Sequence, residues 1–255
     1  MKLTTLAAAA LLLAPAAAAD LLDCNHTAPH RLTAALDGAT SVAVIGRAGT
    51  LLVRGENVNA VTASGTACAS DREFLGRMRI EARREGSEVV VEAVIPEKMV
   101  LFGWHHAKLD LEVIVPNHLP VRVKDGSGKA EISDVASLDV VDGSGELVIR
   151  GVRGSLEVRD GSGSMRISDV GGDIRLTDGS GSVEIARVGG TVRVIADGSG
   201  SLDIRDVQRD VIIESDGSGS ITVSDVRGDF IVERDGSGGI DYQRVGGQVR
   251  LPRRR

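Results

Sequence analysis

Apolar and polar residues alternate through most of the second half of this chain. In the segment GSMRISDVGGDIRLTDGSG (163–181), Met165 and Ile167 are separated by a polar residue, and a glycine pair follows. Ile174 and Leu176 then repeat the alternation. A period of two is typical of a β-strand with one buried face. The segment therefore predicts two short strands joined by a glycine turn.

The same segment returns at a nearly constant interval, and each return contains the tetrapeptide DGSG. Asp side chains bond nearby backbone amides and Gly adopts positive φ, so both residues suit a sharp turn. We interpret DGSG as the structural corner of each repeat. The seven copies are 17 to 19 residues apart and begin at Asp125, Asp142, Asp160, Asp178, Asp197, Asp216 and Asp235.

The interval also indicates how the repeats are arranged. A unit of about 18 residues is too small to bury its own apolar row, whereas stacked units bury it together. An antiparallel meander and a coil that advances one rung per repeat both fit, but the coil demands identity at matched positions more strongly. The sequence therefore predicts an all-β chain built on a parallel β-solenoid (β-helix) with 17 to 19 residues per coil. Its expected rise is about 4.8 Å per rung, and its expected hand is right.

Matched apolar positions predict columns of buried side chains. One such column consists of Ile167, Ile185, Ile204 and Val223. The outward positions between them carry charges of both signs, so Arg166 of one repeat can pair with Glu184 of the next.

Residues 20–124 lack the DGSG interval but keep the alternation. The stretches TLLVRG, SEVVVEAVIP and AKLDLEVIVP alternate like strands, and weak helical character occurs only around SDREFLGRMRIEARREG. We expect 20–124 to form irregular β-structure that caps one end of the solenoid, and 125–251 to form the regular coils. Residues 252–255 form a basic tail, whose proline and arginines would blunt an exposed edge.

The N-terminus has the features of an export signal. Lys2 precedes an apolar run, and Ala17-Ala18-Ala19 gives residues 1–19 a small-residue cleavage site. The run is short for a bilayer span and no later stretch is apolar enough, so no transmembrane segment is expected after cleavage. We expect an exported chain, in the periplasm or alternatively at the cell surface or outside the cell.

The chain contains two cysteines, Cys24 and Cys68. In an oxidising compartment two cysteines most simply form one disulfide. A catalytic thiol is the alternative, but the pair lacks a redox-type spacing.

Charge and repetition exclude some classes of function. The net charge of −6 comes from 36 acidic and 30 basic residues interleaved along the chain, whereas nucleic-acid binding needs clustered Lys and Arg. A catalytic motif is needed once, not seven times, and short coils leave no loops to build a cleft. We therefore predict no enzyme, no catalytic residues, no cofactor and no nucleic-acid partner. A β-helical carbohydrate-active enzyme is the alternative function.

The corner aspartates raise the question of a metal. Stacked carboxylates about 5 Å apart repel one another, and a column of calcium ions would relieve the repulsion. The opposite turn has no constant carboxylate to complete the six to eight oxygens that calcium takes. We expect each Asp to accept amide bonds from its own turn, which keeps the carboxylate ionised without metal. A calcium-binding repeat protein is the alternative.

One stretch differs in composition from the rest of the chain. MVLFGWHH (99–106) gathers Phe102, Trp104, His105 and His106. These residues could form a partner-binding loop, an apolar cover over the open end of the solenoid, or a two-histidine metal site for which no third ligand is evident.

The export signal, the strand LDLEVIVP and serial GSG corners alternating with V-x-G turns resemble the bacterial putative-adhesin domain family. The likeness covers about residues 40–251, and the Asp before every GSG departs from the family's pattern. That family consists of β-strand repeats of unknown function, often in envelope proteins. The resemblance implies a β-solenoid outside the cytoplasm. It also implies a non-enzymatic, adhesin-like structural or binding scaffold, with an unknown protein or polysaccharide ligand in the cell envelope.

Overall fold

The computed structural model describes residues 24–96 and 107–253. The predicted export signal and the stretch MVLFGWHH lie outside these ranges. Within them, no helix has the length and apolar character needed to cross a membrane.

Strands make up most of the described chain. The irregular first part contains β1 (His26–Ala35), β2 (Ser41–Ile45), β3 (Leu51–Glu56), β4 (Ala60–Ala69), helix α1 (Arg72–Leu75), β5 (Arg79–Glu85), β6 (Glu88–Val94) and β7 (Ala107–Pro116). The next strands are β8 (Val121–Lys124), β9 (Gly128–Ser133), β10 (Leu138–Asp142), β11 (Gly145–Val152), β12 (Leu156–Asp160), β13 (Gly163–Val170), β14 (Ile174–Asp178) and β15 (Gly181–Val188). The last are β16 (Val192–Asp197), β17 (Gly200–Val207), β18 (Val211–Ile213), β19 (Asp216–Val226), β20 (Phe230–Val232), β21 (Asp235–Val245) and β22 (Val249–Arg250).

Two ladders of parallel strands run along the regular part. Ladder 1 contains β8, β10, β12, β14, β16, β18, β20 and β22 in this order. Ladder 2 contains β9, β11, β13, β15, β17, β19 and β21. Each coil places one strand in each ladder, and the pairing of strands two apart excludes an antiparallel meander. The predicted parallel β-solenoid, of about 7 turns, is confirmed.

The register places equivalent residues of successive coils on one another. Gly163 lies beside Gly181, which lies beside Gly200, so each DGSG corner follows the corner of the preceding coil. The coil that ends in β16 is one residue longer than the coil before it. The register between β14 and β16 therefore shifts, and Ile195 has no partner in β14. The coil thus absorbs the insertion as a β-bulge without losing the pairing on either side.

The interior between the two ladders is filled by apolar side chains. Ile167, Ile185, Ile204 and Val223 are paired in register and no more than 1% exposed, which confirms the predicted column. Outside, Arg166 Nε lies 3.6 Å from Glu184 Oε2, as the charge pattern predicted.

The irregular first part closes one end of the stack with antiparallel strands. β4 pairs with β7, and β1 pairs with the other edge of β4. β5 pairs with β6 in the same antiparallel sense. A disulfide joins Cys24, just before β1, to Cys68 in β4, with 5.4 Å between the two Cα atoms.

The first coil does not lie at the end of the stack. β2 pairs in parallel with β6 on one side and with β8 on the other. β3 lies in the same way between β7 and β9. Residues 41–56 therefore form a coil inserted between two coils that come later in the chain, and the regular repeats stack directly on it.

Little of the stretch with helical character is helical. Asp71 Oδ1 accepts a hydrogen bond of 2.9 Å from the Phe74 amide, which caps the single turn of α1. From Arg79 onward the chain instead forms β5, because its pairing with β6 outweighs a weak helix propensity.

Unreduced protein purified from an oxidising compartment should contain no free thiol, because the fold brings both cysteines together. Denaturation in the presence of a thiol-specific alkylating agent should add no mass, whereas prior reduction should add two labels. Labelling of both cysteines without reduction would contradict the pairing.

Candidate functional site

The corner aspartates form a column inside the solenoid. In ladder 1, Asp142 follows the buried Val140 by two residues, so both side chains point to the same side of the strand, the interior. The same relation holds for Asp160 after Val158 and for Asp178 after Leu176. Register pairs connect Asp142, Asp160, Asp178, Asp197, Asp216 and Asp235 in order.

The column is out of contact with solvent over most of its length. Each of its first six members, from Asp125 to Asp216, is 7% exposed or less, whereas Asp235 in the last coil is half-buried. At the other end Gly46 occupies the position before Asp125, and a side chain there would overlap the Asp125 carboxylate. The column of carboxyl groups therefore begins at Asp125.

Both glycines of the corner are required by the close approach of successive coils. Gly181 has φ +141°, and a Cβ there would overlap the carbonyl oxygen of Gly163 in the preceding coil. Gly179 has no positive φ, yet a Cβ at Gly179 would overlap the carbonyl oxygen of Gly161. The sequence predicts the need for positive φ in the corner but does not reveal this close approach between coils.

The buried carboxyl groups have too few donors around them. The Gly143 amide donates a 2.9 Å hydrogen bond to Asp142 Oδ1, as expected for a local turn bond. If all these groups are ionised, their oxygens can only accept hydrogen bonds. Seven buried carboxylate oxygens then have no hydrogen-bond donor among the described residues. They are Asp125 Oδ2, Asp142 Oδ2, Asp160 Oδ1, both oxygens of Asp178, Asp197 Oδ1 and Asp216 Oδ2. A proton on one carboxyl group would make it a donor to its neighbour.

The pKa values indicate where such protons are held. Burial, reinforced by the neighbouring carboxylates, raises the pKa of Asp142 to about 6 and those of Asp178 and Asp216 to about 7. The intervening Asp160 and Asp197 accept hydrogen bonds from these neighbours, which opposes the upward effect of burial on their pKa values. Protonated and ionised carboxyls therefore alternate along the column in mild acid, and Asp142 is the first of the three to lose its proton as pH rises.

The expectation that local amide bonds keep every corner aspartate ionised is wrong for Asp142, Asp178 and Asp216. One amide bond does not offset the loss of hydration together with repulsion from the carboxylates above and below. In the part of the chain that the structure describes, no group of three or more His, Cys, Asp or Glu residues is arranged to hold a metal ion.

The turn opposite DGSG has its own constant feature, a left-handed residue. Asp169 and Arg187 adopt φ values of +60° and +57°, and their side chains form a two-bond ion pair at 2.6 and 2.9 Å. Asp225 and Arg244 repeat the arrangement three coils later. The positions that share this conformation are Asp134, Gly151, Asp169, Arg187, Asp206, Asp225 and Arg244. Asp tolerates left-handed backbone better than most residues, which is the signal that could have revealed this turn.

A groove of about 570 Å³ runs along the outer surface of ladder 1. One side is formed by the residues that immediately precede β10, β12, β14, β16 and β18: Ser137, Ser155, Asp173, Thr191 and Asp210. The other side is formed two residues further on by Arg122, Asp139, Glu157, Arg175 and Arg193. Most of these charges are paired, as Arg193 is with Glu214 at 2.9 Å. Arg175 has no ion pair with any described residue.

This groove was not predicted from the sequence. The sequence shows the charges of both signs at Asp139, Glu157, Arg175 and Arg193, but it does not show that small polar residues lie in a row beside them. The other predicted contact region, Phe102, Trp104, His105 and His106, lies outside the described residues, so its role stays a prediction.

No family model and no curated protein matches this sequence. Several solved structures are similar to it at low identity. A "putative cell adhesion protein" from Clostridium sporogenes is 11% identical over 89% of this chain and 100% of that one, with a TM-score of 0.40. A "putative adhesin" from Bacteroides fragilis is 12% identical over 88% and 96%, with a TM-score of 0.44.

A "putative lipid binding protein" from Parabacteroides distasonis is 13% identical over 88% of this chain and 96% of that one, with a TM-score of 0.46. Two of these three names refer to adhesion.

Proposed function

We propose that this chain is an exported, non-enzymatic scaffold of the cell envelope that binds a protein or polysaccharide ligand along the outer surface of ladder 1. The observation that carries the proposal is the groove, because its two sides consist of matched positions from successive coils. Such a surface presents the same spacing of about 4.8 Å many times over, which suits an extended ligand better than a small substrate.

The shape of the coil supports a binding role. Coils of 17 to 19 residues consist of two strands and two tight turns, so the regular part has no long loop that could close over a substrate. Catalytic sites usually lie in concave pockets that bury most of the ligand. A groove formed on a ladder surface instead leaves one side of the ligand in water.

Export is supported by two features of the chain. Residues 1–19 have the pattern of a signal peptide, and Cys24–Cys68 is a disulfide of the kind that persists in oxidising compartments. We place the mature chain in the periplasm, with the cell surface or the medium as alternatives. Residues 20–124 would serve as the cap, 125–251 as the binding scaffold and 252–255 as a basic tail.

Binding can be tested by sedimenting the mature protein with purified envelope fragments. Arg175→Glu reverses the unpaired charge in the middle of the groove, and we expect it to weaken binding at least tenfold, or about 1.4 kcal/mol. Arg227→Glu is the matched control, because Arg227 is exposed, lies at a turn and has no side-chain partner among the described residues. We expect it to bind like the unchanged protein.

Two results would contradict the proposal. If the unchanged protein fails to sediment with any envelope fraction, the envelope role is wrong. If both charge reversals weaken binding equally, the groove is not the contact surface.

A further inference from the structure

Ladder 2 carries a second depression on its outer surface, away from the groove. Arg150, Ser168, Ala186 and Arg205 occupy one matched outward position in four successive coils. Two small residues thus lie between two long ones. The two arginine Cα atoms are about 14 Å apart, three times the ordinary strand spacing of about 4.8 Å. The resulting notch has a volume of about 350 Å³.

Two more arginines form the sides of this arginine notch. Arg166 lies two residues before Ser168 on β13, and Arg187 follows Ala186 at the left-handed turn. Four successive coils, which contain β11, β13, β15 and β17, therefore each contribute one arginine. Four guanidinium groups around a small-residue floor are unusual in a chain whose net charge is −6.

Acidic neighbours orient three of these arginines without using all their donors. Asp169 binds Arg187 through its Nε and Nη2 atoms, and Glu184 binds Arg205 through Nη2. Arg166 donates from Nη1 to Glu146 at 2.8 Å. A guanidinium group has five N–H donors, so each keeps donors for a further acceptor.

Arg150 is the fourth arginine and differs from the others. Its side chain is exposed and forms no hydrogen bond or ion pair with a described residue. Asp169, Glu184 and Glu146 each pair with one of the other three arginines, so Arg150 leaves an excess of one positive charge at the notch. One compact anionic group would compensate this excess, and arginines already held in place lose less conformational freedom on binding it.

We propose that the arginine notch binds a single carboxylate or sulfate group of an acidic polysaccharide. Glu146 and Asp203 lie beyond the rim of the notch and would repel the continuous phosphate backbone of a nucleic acid. The surface beside the notch favours sugar, because a row of hydroxyls lies four residues upstream on β13, β15 and β17 and continues onto β19. This row consists of Ser164, Ser182, Ser201 and Ser220.

The site lies on ladder 2 and does not depend on envelope binding through ladder 1. Its test uses polymers in solution at low ionic strength, since screening weakens charge pairing at surfaces. Isothermal titration would compare heparin, which is sulfated, polygalacturonate, which is carboxylated, and neutral dextran. We expect one or both acidic polymers to bind and dextran not to bind. The two acidic polymers distinguish a sulfate site from a carboxylate site.

The double variant Arg150→Ala/Arg205→Ala removes the guanidinium groups at both ends of the notch, one from an exposed and one from a half-buried position. We expect it to lose at least tenfold in affinity while its melting temperature stays close to that of the unchanged protein. Arg227→Ala, which removes an exposed arginine elsewhere, should stay within twofold. In NMR titrations with galacturonate, the amide signals of Ser168 and Ala186 should shift first.

Several outcomes would overturn the proposal. They are binding of neither acidic polymer, equal binding of dextran, equal affinity of the double variant, or shifts that map away from the notch. Single-stranded DNA that binds through the same arginines at least as tightly would also contradict the assignment to polysaccharide.

Discussion

Ile185→Asp should unfold the protein or leave it barely stable. Ile185 is 0% exposed and lies in register between Ile167 and Ile204, so no water or donor can reach a carboxylate at this position. The change combines the loss of a buried aliphatic side chain with the burial of an unpaired charge, and we expect a cost of about 5 kcal/mol or more. A cost of this size is comparable to the whole stability of many domains.

Ser182→Asp, in the same strand, is the matched control. Ser182 points outward, is exposed, and has serines as its neighbours in the coils on either side. We expect its melting temperature, followed by far-ultraviolet circular dichroism, to stay within a few degrees of the unchanged protein. Equal losses for the two substitutions would show that the inward and outward positions are assigned wrongly.

Stability should decrease as pH rises through neutrality, which is the reverse of the usual behaviour of carboxyl groups. Asp178 has a pKa of about 7 in the folded chain and 3.8 when unfolded, so between about pH 4 and pH 7 the folded state holds a proton that the unfolded state has released. Asp142 and Asp216 act in the same direction. We expect the free energy of unfolding to be at least about 2 kcal/mol lower at pH 8 than at pH 5.

Below about pH 4 we expect the opposite dependence, in which stability decreases as pH falls. Arg187 and Arg244 lower the pKa values of Asp169 and Asp225, and their stabilising effect is lost as pH falls below about 4. The stability maximum should therefore lie in acid, between about pH 4 and pH 5.

Asp178→Asn tests the origin of this pH dependence. The amide is neutral, nearly the same shape, and donates to the flanking Asp160 and Asp197 without needing a proton from solution. We expect the variant to be more stable than the unchanged protein at pH 8 and to lose less between pH 5 and pH 8. Asp241→Asn, at an exposed outward position, should leave the profile unchanged. Destabilisation of Asp178→Asn at pH 8 would contradict the shared-proton column.

The regular coils could be predicted because one constraint repeats many times. Equivalent residues lie on one another in a parallel stack, so identity at positions such as Gly163 and Gly181 determines register and interval together. An antiparallel meander would not require identical residues at those positions, because they would not lie on one another. The column of Ile185 and its neighbours followed from the same alternation.

The inward direction of the aspartates was not predicted, although the sequence contains the signal. Asp142 follows Val140 by two residues, so the alternation that buried the valine also buried the carboxyl group. Asp usually lies at the protein surface, and this tendency was given more weight than the position of Asp142 two residues after a buried valine. Its energetic consequence, a raised pKa, depends on neighbours in other coils.

The placement of the first coil could be predicted even less. Gly46-Arg47-Ala48-Gly49 occupies the corner position equivalent to Asp125–Gly128, and Ala48 forms a bridge with Ser127. Both glycines of that tetrapeptide lie beside the later corner. A degenerate corner can be detected in a sequence, but which strands become its neighbours depends on pairings across the whole chain.

That placement affects the order in which the fold can be assembled during synthesis. A chain emerging from the ribosome makes β2 and β3 first, but every parallel partner of these strands is translated later: β6, β7, β8 and β9. Ala43, for instance, meets Val90 and Arg122. Closing such long loops costs entropy before any pairing compensates for it.

The coils from β10 onward face no such delay, because each can add to a coil that already exists. Vectorial growth of this solenoid therefore begins only once residues 41–133 have been translated.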